Sequence, residues 1–375
     1  MQSVKKIAFY APIKPPDHPI PSGDRVIAGN LLKAFRLGGY KVLLASRYIA
    51  YSKRHAEDIL SEKKQGALQE TDALLDAFKQ LPESEKPDLW VTYHPYCKAP
   101  DWIGSTVSQK LGIPYVNVEA AKTGQGGPDD FWRPWRLEAQ KGIKQADLHI
   151  VLKPTDIVYL EDLLGHNAPL QALSPFLDLS SLQLPARDRH SITWQNHSPV
   201  IATTGMMRPG KKERNFLFIA ETLEKMIDQD WNLLIIGGGP QEAEIRNAFS
   251  EIPQERIHWT GQVEHAEMAG LLQQADIFFW PGWNEPIGMV FLEAQSLGLP
   301  VIAFESMGVP LVVKDNETGL LAPEGDVSGL RENLSQLLGD RDKRKLMGAQ
   351  ARERVLKKHT LQAAAARLQE LIEML

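Results

Sequence analysis

The stretch Asp276-Ile277-Phe278-Phe279-Trp280-Pro281-Gly282-Trp283-Asn284-Glu285-Pro286-Ile287-Gly288-Met289-Val290-Phe291-Leu292-Glu293-Ala294 decides how this chain is read. Ile277-Phe278-Phe279 is a short apolar run of the kind that forms a strand covered on both faces. Pro281, Gly282 and Pro286 force a loop behind it. Met289 to Leu297 is helix-forming until Gly298 and Pro300 stop it. In this strand, loop, helix order the N–H groups of Gly288, Met289 and Val290 lie near the carboxyl end of the strand. There the positive end of the helix dipole favours an anionic group such as phosphate.

The same alternation extends in both directions. Apolar runs recur at Lys6–Ala11, Lys41–Ala45, Asp88–Tyr93, Tyr115–Val118, Leu148–Leu152, Val200–Thr203, Asn232–Ile236, Ile257–Trp259 and Val301–Ala303. Between them lie longer amphipathic segments, the pattern of parallel α/β sheets. Ile27, Leu31, Leu32 and Phe35 fall at helix spacing and Gly38-Gly39 ends that helix, so the chain opens as β-α-β. Periodicity fails between Leu179 and Pro199, where only Trp194 is large and apolar. Residues 1–178 are therefore expected to form one α/β domain, 179–199 a linker and 200–355 a second domain. Asp340 to Leu375 reads as continuous helix, and residues 356–375 are expected to pack outside, with a crossing back to the first domain left open.

Composition narrows the function. The 375 residues carry 42 Lys+Arg against 47 Asp+Glu, a net charge of −5, which disfavours a dedicated nucleic-acid binder. Length at roughly 150 residues per domain fits two full domains. The one cysteine, Cys97, excludes an intrachain disulfide and a Cys-only metal site, and points to a reducing cytoplasm. No export signal and no 18-residue apolar run is visible, while peripheral attachment at the inner face of the membrane stays open.

Several motifs resemble sites without completing them. Gly205-Met206-Met207-Arg208-Pro209-Gly210-Lys211 fits seven places of a phosphate-binding loop, but Lys212 stands where Ser or Thr would hold magnesium. The loop still places three cations, Arg208, Lys211 and Lys212, at a strand's carboxyl end. Asp340-x-Asp342 precedes a helix and reads as an N-cap rather than a metal site. Gly237-Gly238-Gly239-Pro240 lacks the spacing of a dinucleotide fingerprint. Glu285 and Glu293 are eight residues apart, about 12 Å at most along a helix, too far to serve one atom as acid and base. That separation suits a ligand with hydroxyl groups on both sides of a diphosphate, as in a nucleoside diphosphate sugar.

From Thr260 to Asp326 the sequence resembles the C-terminal domain of the retaining GT-B glycosyltransferases of the GT4 family, the glycosyl transferases group 1. The resemblance rests on Gly261-Gln262-Val263, on Glu285 and Glu293 in a Glu-x7-Glu pattern, on Gly298-Leu299-Pro300-Val301, on Asn316-Glu317-Thr318-Gly319-Leu320-Leu321 and on Gly325-Asp326. Leu233 to Pro240 adds the family's strand and glycine-proline turn. It implies an α/β chain with the GT-B fold: two Rossmann-like, doubly wound parallel-sheet domains facing across a cleft, the first on the acceptor side. It further implies a metal-independent hexosyl transfer with retention, needing no cofactor beyond its nucleotide-sugar donor, with a sugar or glycolipid acceptor in glycan assembly.

By the same resemblance, Glu285 meets the transferred sugar and Glu293 the ribose. Pro286, Ile287, Gly288, Met289 and Val290 meet the phosphates and sugar, Val263 the base, and Gly237 lines the donor site. Lys211 matches the diphosphate-binding lysine, a charge-stabilising role, while Met206 fills the family's arginine slot and Arg208 lies two places on. In the first domain Gly23, within Pro21-Ser22-Gly23-Asp24-Arg25, matches a loop near the donor phosphates. Either His94 or Glu119, each closing a strand, is a candidate to orient or deprotonate an acceptor hydroxyl. Phe131-Trp132-Arg133-Pro134-Trp135-Arg136 with Lys141 and Lys144 suits either a lipid headgroup surface or a partly buried helix. Gly124-Gln125-Gly126-Gly127-Pro128 is a flexible acceptor-loop candidate. Two other readings are open: a non-catalytic nucleotide-sugar binder, and a sugar-nucleotide epimerase or phosphorylase of the same fold.

Overall fold

The computed structural model describes residues 5–20, 22–121, 130–182 and 192–375. The chain divides into two compact units, Met1–Ser174 together with Leu361–Leu375, and Pro175–Thr360. Each holds a six-stranded sheet whose paired strands all run parallel.

In the first unit the elements are β1 (Lys6–Tyr10), α1 (Gly23–Leu37), β2 (Lys41–Ser46), α2 (Glu57–Gln80), β3 (Leu89–Tyr93), α3 (Gly104–Leu111), β4 (Tyr115–Val118), α4 (Arg133–Ile143), β5 (Leu148–Val151), α5 (Pro154–Leu164) and β6 (Leu170–Ala172). The strand order is β2-β1-β3-β4-β5-β6. Every residue of β3 is buried, because helices cover both faces of a parallel sheet. The Oγ of Ser22 accepts from the N–H of Arg25 and starts α1, while Gly112, at φ 67°, ends α3 in the left-handed region.

The second unit contains β7 (Val200–Thr204), α6 (Lys211–Glu224), β8 (Asn232–Ile236), α7 (Glu242–Ala248), β9 (Ile257–Trp259), α8 (His265–Leu272), β10 (Ile277–Phe279), α9 (Met289–Ser296), β11 (Val301–Glu305), α10 (Val309–Val312), β12 (Gly319–Pro323), α11 (Val327–Gly339) and α12 (Arg341–Lys358). Its order is β12-β11-β10-β7-β8-β9. Phe216, Trp231, Phe249, Phe278 and Trp280 are fully buried in its core, each aromatic side chain contributing roughly 2–3 kcal/mol by leaving water. Asp340 caps α12 by accepting from the N–H of Lys343 at 2.9 Å, as an N-cap should.

The structure departs from the sequence reading in three places. Asp340 to Leu375 is not one helix: α12 stops at Lys358 and α13 (Leu361–Ile372) follows. The break comes from long-range bonds, since the N–H of Leu177 donates to the carbonyl of His359 at 3.0 Å and the His359 Nδ1 lies 2.7 Å from the carbonyl of Pro175. Beyond the break, α13 belongs to the first unit and packs on α1, with Ala364, Ala365, Leu368, Leu371 and Ile372 buried. Part of the expected linker packs on the second unit: the N–H of Ile192 donates to the Gln274 side chain, and Trp194 meets His258 edge-on. Residues 183–191 lie outside the described residues. The edge strands β6 and β12 were not anticipated; β12 is bounded by Gly319 and Pro323, residues that read as loop, and Pro323, which cannot donate to a ladder, is accommodated because the strand lies at the sheet edge.

Candidate active site

In the second sheet the chain runs outward from β7 through β8 to β9, then returns to the other flank of β7 as β10. Loops leaving the carboxyl ends of β7 and β10 therefore diverge, and such a switch point is where open α/β sheets bind ligands. Gly205 to Gly210 leaves β7 and leads into α6; Trp280 to Gly288 leaves β10 and leads into α9.

The second loop is fixed on several sides. Asn215, buried in α6, accepts from the N–H of Trp283 at 2.8 Å and donates to the carbonyl of Lys211 at 2.8 Å, tying the β10 loop to the first turn of α6. Asn284 is in the left-handed region at φ 55°; its N–H is received by Ser306 Oγ at 3.0 Å and by Glu324 Oε1 at 2.9 Å. Ser306 Oγ itself donates to the same Glu324 oxygen. The Gly308 N–H donates to the carbonyl of Glu285, and a Cβ on Gly308 would lie 1.8 Å from the carbonyl oxygen of Pro286. Gly288 caps α9 at φ 77°, where a Cβ would strike the Phe291 ring at 2.4 Å. Ile287 is buried, Pro286 exposed, and Met289 and Val290 half-buried at the helix start.

Glu285 meets a cation. Lys212 Nζ lies 3.1 Å from Glu285 Oε2 and 5.0 Å from the centre of the Trp280 ring, held between carboxylate and indole face. Lys211 is exposed and its ammonium donates to the carbonyl of Asn284 at 3.3 Å. Both lysines grip the same turn, and only Lys212 reaches the Glu285 carboxylate. Met206 and Arg208 are exposed on the first loop. Glu293 sits half-buried in α9, where desolvation pushes its carboxyl up to about 7.

One donor-site candidate, Gly237, has a backbone role. Gly237, at φ 126°, gives its N–H to the carbonyl of Gly261 and approaches Gly205 so closely that a Cβ would lie 2.2 Å from that residue's carbonyl oxygen. Its amide is thus taken, and its contribution is to let the β7 and β8 loops touch. Val263 packs half-buried against the core beyond β9.

The first unit separates its own candidates. His94 and Glu119 close neighbouring strands, both left-handed at φ 58° and 57°. Glu119 is buried, with Lys153 Nζ 2.5 Å from its Oε1 and 3.5 Å from Asp156. Burial works to lower the Lys153 pKa, but the two carboxylates outweigh it and hold the ammonium charged. Glu119 is therefore a buried counter-ion of Lys153 through Oε1, while its Oε2 is buried without a hydrogen-bond partner among the described residues. His94 is partly accessible and pairs with Asp24 at 3.0 Å. Gly23 begins α1 with open space where a Cβ would stand, so nothing in the described residues requires glycine there. Trp135 is a core residue, whereas Phe131 is exposed and stacks on His55, and Lys98 lies over Trp132. The loop 124–128 and Pro21 fall outside the described residues. Among the described residues no group of three His, Cys, Asp or Glu is placed to hold a metal ion, and no helix is long and apolar enough to cross a membrane.

Residues 186–354 match the family described as glycosyl transferases group 1. This part of the chain belongs to the group 1 glycosyl transferases, the GT4-type family that the sequence resembles. A GDP-mannose-dependent monoacylated alpha-(1-6)-phosphatidylinositol monomannoside mannosyltransferase of Corynebacterium glutamicum is 32% identical over 192 residues, 49% of this chain and 50% of that protein. A D-inositol 3-phosphate glycosyltransferase of Corynebacterium efficiens is 32% identical over 196 residues, 49% of this chain and 46% of that protein. The matched stretch spans about half the length of these curated relatives. Among solved structures, Anabaena HepE in complex with UDP superposes with a TM-score of 0.69 at 16% identity, over 99% of this chain and 100% of that one. The likeness shows the fold: the chain is GT-B, with two Rossmann-like sheets.

Sequence reasoning missed Lys212 as the partner of Glu285, and it missed Asn215, Ser306, Glu324 and Asp24. The signal for Lys212 was present, two adjacent lysines at the start of a helix, but which of them reaches the Glu285 carboxylate depends on where α6 begins.

Proposed function

We propose that the chain moves a sugar from a nucleoside diphosphate sugar to a hydroxyl acceptor, with retention at the anomeric carbon and without a metal ion. The observation that carries this reading is the Lys212–Glu285 pair beside the α9 N-terminus at the switch point of the second sheet. A diphosphate received by the first amides of α9 would stand beside the Lys212 ammonium. As the bond from sugar to phosphate breaks, negative charge grows on the leaving diphosphate, and preorganised positive charge there stabilises the transition state. Lys212 would supply most of it; Lys211 beside it and Arg208 on the preceding loop would add to the field.

Glu285, released from Lys212 by the arriving phosphate, would accept hydrogen bonds from the sugar hydroxyls. Glu293, farther along α9, would accept from the ribose. The curated relatives are named for a GDP-mannose donor and for inositol-containing acceptors, and the solved neighbour for UDP, which supports a nucleotide-sugar donor and a sugar or glycolipid acceptor. Contact with a membrane surface through exposed Phe131 and its basic neighbours belongs to the same proposal. Binding of UDP-glucose and GDP-mannose, followed calorimetrically for the parent and for Lys212→Ala and Glu285→Ala, tests the reading. At least one donor is expected to bind the parent and to be turned over in the presence of a chelator. Equal binding and turnover in both variants would remove the mechanism.

A further inference from the structure

The edge of the second sheet reaches the Glu285 turn through two side chains. In the ladder between β11 and β12 the last registered pair is Glu305 with Pro323, and Ser306 and Glu324 follow directly at the carboxyl ends of these strands. Ser306 is buried, whereas Glu324 is exposed. Glu324 Oε1 receives the Ser306 hydroxyl at 2.9 Å and the Asn284 N–H at 2.9 Å, and that N–H is shared with Ser306 Oγ at 3.0 Å. A carboxylate only accepts, which fixes the direction of this triangle: the serine proton goes to Glu324 and leaves an oxygen lone pair for Asn284. Hydrogen bonds to a carboxylate are also stronger than those between neutral groups.

The backbone of Glu324 is itself held. The Asp326 N–H donates to the carbonyl of Pro323 at 2.9 Å, Gly325 turns the chain at φ 86°, and Asp326 rather than Glu324 caps α11 by accepting from the N–H of Gly329. Among the described residues no lysine or arginine pairs with Glu324. Its carboxylate serves neither a cap nor an ion pair, and both of its bonds support Asn284. That residue stands at φ 55°, a region residues with a side chain seldom enter. Its neighbours are fixed from other directions, the Trp283 N–H by Asn215 and the Glu285 carbonyl by the Gly308 N–H. The left-handed turn at Asn284 sets the direction in which the chain enters Glu285, whose carboxylate meets Lys212.

We propose that Glu324 is a positioning residue for sugar recognition: with Ser306 it holds the Asn284 N–H and so aims the Glu285 carboxylate at the hydroxyl groups of the donor sugar, without acting on the diphosphate. The inference rests on the transferase reading above and extends it from the β10 loop to the edge of the sheet.

Calorimetry on the full chain compares UDP-glucose with UDP and GDP-mannose with GDP, so that the sugar's share of binding is read separately. Glu324→Ala should raise the Kd of the nucleotide sugar that binds the parent about ten-fold and leave that of the matching diphosphate within about two-fold. Glu324→Gln should recover most of the loss, because its amide oxygen can accept both bonds. In a Glu285→Ala background, adding Glu324→Ala should change neither Kd by more than about two-fold, since the two residues act on one contact. With 15N-labelled asparagine, the Asn284 signal is assigned by its loss in Asn284→Gly. Its amide should exchange with solvent at least about ten-fold faster in Glu324→Ala than in the parent, and Glu324→Gln should restore the protection. Equal loss for nucleotide sugar and diphosphate, no loss for either, an additive loss in the double variant, or an Asn284 amide whose exchange is unchanged overturns the inference. If neither nucleotide sugar binds the parent, the transferase reading fails instead, and the Asn284 exchange still decides whether Glu324 holds the turn.

Discussion

Lys212 is held from two sides, by a carboxylate and by the face of Trp280, whereas Lys211 rests on a backbone carbonyl at the surface. The two positions predict different losses. Lys212→Ala should lower kcat by about 10²–10³, the usual cost of removing one charge-stabilising donor, and Lys211→Ala by less than about ten-fold. Steady-state kinetics with saturating donor compares them. Glu293 gives a pH prediction with a definite sign. Its folded pKa of about 7 lies above the ordinary glutamate value, so between the two the folded state holds a proton that the unfolded chain has lost. Its contribution to stability is therefore present at low pH and falls as pH rises through about 7. Glu293→Gln should melt higher than the parent at alkaline pH, with the difference closing under acid conditions, yet bind the donor more weakly. Melting curves and donor titrations at two pH values check both halves. At this scale the sequence showed Glu285, Glu293 and a cationic loop. It did not show Ser306 and Glu324, because their bonds to Asn284 join residues 22 and 40 positions apart.

Among the elements, α9 depends most on one backbone position. Gly288 at φ 77°, against Phe291, leaves no room for a side chain. Gly288→Ala should cost about 1–3 kcal/mol in urea unfolding and displace the amides at the helix start, weakening donor binding. Asp340→Ala is the control: it removes the α12 cap, should cost about 1 kcal/mol, and should leave donor binding unchanged. Both sites could be read locally, since a cap and a helix start are set by residues a few positions apart. The edge strands β6 and β12 and the end of α12 could not. Each is decided by a neighbour distant in sequence, and the His359 carbonyl, which accepts from Leu177 across 182 positions, interrupts a pattern that is helical by propensity alone.

At the scale of the whole molecule, the last helix is covalently continuous with the second unit but buried in the first. Lys5 and Arg367 reinforce this, Lys5 donating to the carbonyl of Ile372 and Arg367 to the side chain of Gln171. Truncation after Thr360 should strip the apolar cover from α1 and reduce hydrogen-exchange protection across β1 and β2. Protection of β7, β8 and β10, and donor binding by the second unit, should persist. Loss of protection in both units together would show that they do not unfold separately. The sequence by itself determined the number of sheets, the parallel strands and the loop that carries Glu285, since these follow from apolar periodicity and from where proline and glycine interrupt it. Only the tertiary structure decided which lysine faces that carboxylate, that Glu119 is buried beside Lys153 while His94 is partly accessible beside Asp24, and that the last helix packs in the first unit. Those outcomes depend on hydrogen bonds and ion pairs between residues far apart in the chain, which folding brings together and which no local pattern encodes.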